Sequence, residues 1–298
     1  MTSPTCSFAA VGLFFALLSA PAYGQGAKKI FICADIEGIS GVSSPEQVGG
    51  TGADYGRGRK LMADDVNAAI RGAVAGGATD IVVIDSHGNG HNLQRDDVDA
   101  HARLISGNAI RRYGMMEGLD ETFDAVFFIG HHAKAGSPDG VFAHTQNANI
   151  RDVQINGRSV GEGGISTIYA AWFGVPVVLV TGDQIAVAQI KEVATDAASV
   201  VVKRAINGRT VELRPTGEAR DEIQRAAQEA ARSARKFEPR RAGPFRMQIW
   251  YRDSAIPEVA EAIPGIERPT PDSVAFTADS MQAAFALYRV LYRHIDAR

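Results

Sequence analysis

The chain has 298 residues, with 31 basic and 34 acidic side chains and a formal net charge of −3. Hydrophobic residues make up 45% and charged residues 22%, the ordinary globular balance, which excludes a disordered chain. No basic excess is available to hold nucleic acid by its phosphates, and the 31 glycines follow no Gly-X-Y period, which excludes collagen.

Residues 8–20 read FAAVGLFFALLSA, an apolar run too short for the roughly 20 residues of a membrane-spanning helix. Ala22-Tyr23-Gly24 follows, with small residues two apart, as signal peptidase requires. Residues 1–24 are therefore expected to be a secretory signal peptide, cleaved after about Gly24. The mature protein would be periplasmic or secreted, with no membrane attachment. The leading MTSPTCS carries no Lys or Arg, so its positive charge is the terminal amine alone. Cleavage removes Cys6 and leaves one cysteine, Cys33, so no internal disulfide can form. Cys33 sits in an apolar run and reads as a small buried hydrophobe.

Residues 29–34 (KIFICA) form a continuous apolar run ending at Asp35, as in a strand buried on both faces of a parallel sheet. Residues 56–76 carry apolar side chains at helical spacing and end at Gly76-Gly77. Residues 80–85 (DIVVID) are a second buried strand, which completes a βαβ unit. Residues 124–130 (DAVFFIG) are a third. Asn156-Gly157, within 153–160, predicts a hairpin turn. A helix over 163–173 and a strand over 175–180 (VPVVLV) follow, then helices over 184–194 and 217–236.

From residue 245 the pattern changes. Residues 245–251 (FRMQIWY) alternate like a half-exposed strand. A short helix over 255–263, a strand over 274–277 and an amphipathic helix over 280–294 close the chain. The Pro- and Arg-rich stretch 238–244 is the best internal boundary. The expected fold class is α/β: a mostly parallel central sheet flanked by helices, with a smaller C-terminal α+β region. Residues 28–203 would be the metal-binding catalytic core, and 204–298 the smaller region packed on it.

Ligands in open α/β sheets gather beyond the carboxyl ends of the strands. The first strand ends in Asp35-Ile36-Glu37-Gly38, with two carboxylates two residues apart and so on one side of extended chain. Like charges so close repel unless a cation lies between them or one is protonated. The second strand ends in Asp85-Ser86-His87, the third in Gly130-His131-His132, and the hairpin returns to Gly161-Glu162-Gly163 at a helix start. Carboxylates and imidazoles together suit a divalent metal, and there are more of them than one tetrahedral zinc needs. A two-metal site with a bridging carboxylate would use the excess. His144, after a short apolar stretch, is a candidate acid/base. His91, His101 and His294 read as surface residues. The run Gly49-Gly50-Thr51-Gly52 lacks the Gly-Lys-Ser/Thr of a P-loop, and no Gly-x-Ser-x-Gly elbow is present.

These motifs together resemble the DppA-type bacterial zinc D-aminopeptidases. The resemblance runs through Asp35-Ile36-Glu37-Gly38-Ile39-Ser40-Gly41, Tyr55-Gly56-Arg57-Gly58-Arg59, Asp85-Ser86-His87 and Leu104-Ile105-Ser106-Gly107. It continues through Met116-Glu117-Gly118-Leu119-Asp120, Gly130-His131-His132-Ala133, Val160-Gly161-Glu162 and Gly182-Asp183, and thins after about residue 205. It implies a metallopeptidase with two zinc ions per subunit, removing the N-terminal residue of short D-amino-acid peptides such as D-Ala-D-Ala. Asp35, Glu37, His87, His132 and Glu162 would be the zinc ligands and His144 the catalytic histidine. A ring-like homodecamer is the family's assembly, so a large homo-oligomer is implied. Two features depart from the family: Gln184 stands where a second Asp would follow Gly182-Asp183, and the export signal is foreign to an intracellular relative.

The implied chemistry is metal-assisted amide hydrolysis, with His144 carrying a proton or stabilising the developing oxyanion. Two alternatives keep the scaffold: a zinc amidase or esterase on another small substrate, and an exported peptide- or metal-binding protein without turnover.

Overall fold

The computed structural model describes Met1 and residues 28–107 and 111–295. The expected signal peptide and Cys6 lie outside the described residues.

The first sheet has seven strands in the order β3-β2-β1-β4-β7-β8-β9. They are β1 (Lys28–Ala34), β2 (Ala78–Asp85), β3 (Ala102–Ile105), β4 (Ala125–His131), β7 (Val177–Asp183), β8 (Ala198–Asn207) and β9 (Thr210–Leu213). All neighbours are parallel except β8 and β9, which form an antiparallel edge hairpin. The chain winds outward from β1 to β3, then returns to place β4 on β1's other side. The strand order therefore reverses between β1 and β4, and a crevice opens beyond their carboxyl ends.

The side chains of β1 divide between two cores. Ile30, Ile32 and Ala34 face one, beneath helices α2 (Tyr55–Ala75) and α5 (Thr216–Ser233). Phe31 and Cys33 face the other, with helix α3 (Glu162–Trp172) and the second sheet. Burial of both faces explains why these strands read as unbroken apolar runs. Cys33 is fully buried, as expected.

The second sheet is antiparallel, in the order β11-β12-β10-β5-β6. Its strands are β5 (Ile150–Ile155), β6 (Arg158–Ser159), β10 (Phe245–Tyr251), β11 (Glu267–Thr270) and β12 (Ser273–Ala278). The expected Asn156-Gly157 turn joins β5 to β6, and both residues adopt positive φ, 51° and 80°. Helices α1 (Pro45–Val48), α4 (Gln184–Lys191), α6 (Ala255–Ala260) and α7 (Met281–Arg293) complete the fold.

The two sheets do not divide at residue 203. A boundary between 203 and 204 cuts through β8, and β9 and α5 belong to the first sheet's layers. The hairpin β5–β6, from the middle of the chain, pairs with β10. Order along the chain does not reveal which sheet a strand joins. Helix α5 closes on α2 through small residues: a Cβ on Gly72 would lie 2.3 Å from the Gln224 carbonyl oxygen and 2.7 Å from the Ala227 Cβ.

Candidate metal centre

All the expected ligands converge at the reversal between β1 and β4. Asp35 and Glu37 leave β1, His87 follows β2, His132 follows β4, and Glu162 is the first residue of α3. Of these expected ligands, Asp35, Glu37, His132 and Glu162 are buried, and His87 is partly exposed. The turn after β1 lies against the end of β4: Gly38 N–H donates to the Gly130 carbonyl at 2.7 Å. A Cβ on Gly38 would sit 2.0 Å from the His131 carbonyl oxygen, so only glycine allows this approach.

The side chains form two sets that share Asp35, and a third, of Glu37, His132 and His144, overlaps both. Asp35 Oδ1 and Glu37 Oε2 lie 3.2 and 3.1 Å from His87 Nδ1. Asp35 Oδ2 and Glu162 Oε1 lie 3.6 and 3.5 Å from His132 Nε2. Asp35 thus offers one oxygen to each of the two sets it joins. Ligands about 2.0–2.1 Å from one zinc at tetrahedral angles stand roughly 3.3 Å apart, the spacing found here.

The histidine rings supply an independent test of fit. His87 Nε2 lies 2.8 Å from the Val48 carbonyl, His132 Nδ1 2.9 Å from Ala133's, and His144 Nδ1 2.8 Å from Phe142's. A carbonyl only accepts, so each of these nitrogens carries the proton. In the neutral ring the other nitrogen then turns its lone pair toward carboxylate oxygens, which also only accept. A metal cation between them resolves the conflict, and carbonyl-oriented imidazole is the usual arrangement of a metal-ligating histidine.

Without a cation the rings resolve it by protonation. Burial works to discharge His87, but Glu37 and Asp35 overcome it and raise its pKa to about 12. Burial likewise opposes charge on His132, and Glu162, Glu37 and Asp35 carry it up to about 10. Burial would raise the carboxyl of Glu37, but His87, His132 and His144 hold it well below the ordinary range. The same opposition, won by His132 and His144, lowers Glu162.

His144 is the most loosely placed member of these sets. Its ring stacks on His132, with centroids 4.0 Å apart and planes 10° from parallel. Its Nε2 is 3.8 Å from Glu162 Oε1 and 4.0 Å from Glu37 Oε1, farther than the ligand spacings, and its side chain is 30% exposed. Phe142 and Gln146, two residues to either side, both have positive φ, 54° and 64°. Such conformations are uncommon without a glycine and concentrate at functional sites. Here one presents the Phe142 carbonyl to His144, and the other aims Gln146 N–H at Glu162 Oε1, 2.5 Å away.

Two recesses meet at this histidine. One, of about 270 Å³, is lined by Asp35, His87, Gln146, Asn149, Glu162 and Tyr292, among others. The other, of about 700 Å³, is lined by Glu37, Val48, Pro138, Phe142 and Arg209, among others.

Other residues of the motifs serve the frame. Asp85 accepts from Asn92 N–H at 2.5 Å and Leu93 N–H at 2.7 Å, and Asn92 Nδ2 donates to the His87 carbonyl at 2.7 Å. His131 is buried against the Phe128 ring, and burial lowers its pKa. His91, His101 and His294 are exposed, as expected. Asp183 caps α4, and Gln184 exchanges hydrogen bonds with the backbone of Ala205 on β8. The sequence reading missed Lys203, a fully buried lysine on β8, and Asp65, which accepts from Ser40 in the turn after β1. A lysine inside the apolar run VVVKRA was the available signal.

Fold and site together define a class: an α/β protein with a carboxylate–imidazole metal centre at the switch point of a parallel sheet. The profile of peptidase family M55, D-aminopeptidase, matches residues 28–290, and the chain belongs to that family. A D-aminopeptidase of Bacillus subtilis (strain 168) is 32% identical over 266 residues, covering 88% of this chain and 96% of that protein. The structure of the Zn-dependent D-aminopeptidase DppA from Bacillus subtilis, described as a self-compartmentalizing protease, superposes with a TM-score of 0.84. Sequence identity there is 30%, over 91% of this chain and 98% of that one.

Proposed function

We propose that the protein is an exported zinc D-aminopeptidase that removes the N-terminal residue of short D-amino-acid peptides of the D-Ala-D-Ala type through a two-zinc site. One observation carries the two-metal reading: Asp35 turns one carboxylate oxygen to His87 and Glu37 and the other to His132 and Glu162. Asp35, Glu37 and His87 would hold one ion; Asp35, His132 and Glu162 would hold the other.

Zinc bound there supplies Lewis-acid polarisation of the scissile carbonyl and of the attacking water. His144, fixed by the Phe142 carbonyl and partly exposed, takes up the proton released by water and delivers it to the departing amine. The recesses on either side give separate places to the first side chain and to the leaving residue. An asymmetric pair of pockets is what selection of one hand requires. With residues 1–24 acting as an export signal, cell-wall-derived D-peptides are the substrates within reach. The self-compartmentalizing relative supports a homo-oligomer, up to the decamer, for this chain.

The test is a substrate panel for the zinc-loaded protein: D-Ala-D-Ala, L-Ala-L-Ala and simple amides and esters. Cleavage of the D-peptide alone is expected. Cleavage of the amides or esters with both peptides left intact would replace this reading with that of an amidase or esterase. Zinc bound without any hydrolysis would mark a binding protein.

A further inference from the structure

The mechanism leaves several buried charged residues unused, Lys203 among them. Lys203 lies on β8, beside Asp183 of β7 in the sheet register, with no measurable exposure. Its Nζ donates to the carbonyls of Glu37, of Ile39 at 3.2 Å and of Val42 at 2.7 Å. An ammonium has three N–H donors and no acceptor, so the three carbonyls satisfy it completely. Among the described residues no carboxylate lies within ion-pair distance of Nζ. The turn after β1 therefore wraps its own backbone around this cation. The Phe142 ring centroid is 5.8 Å from the same Nζ, and Phe142 holds His144 through its carbonyl.

Burying a charge is costly, and a methionine would fill similar volume without that cost. What the ammonium adds is directional hold on residues 37–42. Other anchors reach this turn at Gly38 N–H and Ser40, but Lys203 grips Glu37 through that residue's own carbonyl.

We infer that Lys203 is a positioning residue of the metal centre, its ammonium setting the pose of Glu37 from behind by filling a cage of three backbone carbonyls. The inference rests on the zinc reading above. Outer partners that orient metal ligands typically change affinity 10- to 100-fold when removed.

The experiment measures zinc affinity of the full chain by competition with a chromophoric chelator, beside its thermal unfolding. Lys203→Met should bind zinc roughly 10- to 100-fold more weakly while remaining folded. Lys203→Ala should be similarly weakened, and propylammonium, which replaces the missing three carbons and amine, should restore its affinity. The same amine should leave the wild type and Lys203→Met unchanged. Zinc binding by Lys203→Met within about threefold of wild type would overturn the proposal. So would variants that fail to fold and do not respond to the amine, because Lys203 would then serve only the fold. Wild-type protein that binds no zinc would overturn the two-zinc reading, and this inference with it.

Discussion

At the scale of single residues, the site is governed by a conflict between acceptors. Three imidazoles turn one nitrogen to a backbone carbonyl and the other toward carboxylates. Protons or metal ions can occupy the space between, and each excludes the other. With their pKa values raised to about 12 and about 10, His87 and His132 are both charged at neutral pH in the metal-free protein. Zinc must displace those protons, so its affinity rises with pH. Calorimetry in buffers of different ionisation enthalpy should find about two protons released per loaded site at pH 7, one from each ring. No release would contradict the assignment of the rings. His144 has a different part. His144→Ala should keep its zinc and lose hydrolysis by roughly 10²- to 10⁴-fold. Full activity with metal bound would remove it from proton transfer. Asp35→Ala should lose zinc affinity at least roughly 100-fold, since even outer partners cost that much. Retention of both ions would show that Asp35 does not bridge.

At the scale of elements, strands that run buried from end to end were legible because nothing interrupts their apolar pattern. The ligands were legible for a related reason, since each follows directly on such a strand or opens a helix. Choosing His132 over His131 was not possible from spacing, and came from family likeness. Three strands of the first sheet, β3, β8 and β9, escaped notice. β3 is four residues long, and β8 carries Lys203 and Arg204 inside its apolar run. Helix α5 was found, but not its partner, since the small residues that admit it sit on α2, about 150 positions earlier. Gly72→Ala tests that contact. Alanine favours a helix by up to about 1 kcal/mol over glycine, but its Cβ would meet the Gln224 carbonyl at 2.3 Å. Overpacking costs roughly 1–3 kcal/mol, so net destabilisation is expected in urea unfolding. A more stable variant would show that α2 and α5 are less tightly joined.

At the scale of the whole molecule, the reversal of strand order makes the site. Loops from β1, β2 and β4 and the start of α3 meet there, although their residues span 35 to 162. The other half of the fold backs this crevice: α7 supplies Leu291 and Tyr292, and β10 supplies Tyr251, to the smaller recess. Exposed Ile206 and Leu213 lie on the β8–β9 edge hairpin, and exposed Val259 on α6. Apolar side chains on a sheet edge suit burial between copies of the chain. Sedimentation should therefore find a homo-oligomer, and a monomer at micromolar concentration would exclude the assembled form.

On the proposed reading, D-peptide hydrolysis depends on a two-zinc centre formed by these side chains. Zinc titrated into chelator-stripped protein, with bound metal and D-Ala-D-Ala cleavage followed together, tests it most directly. The expected result is two ions per chain, cleavage that appears as they bind, and its loss on chelation. Undiminished cleavage by the stripped protein would contradict it.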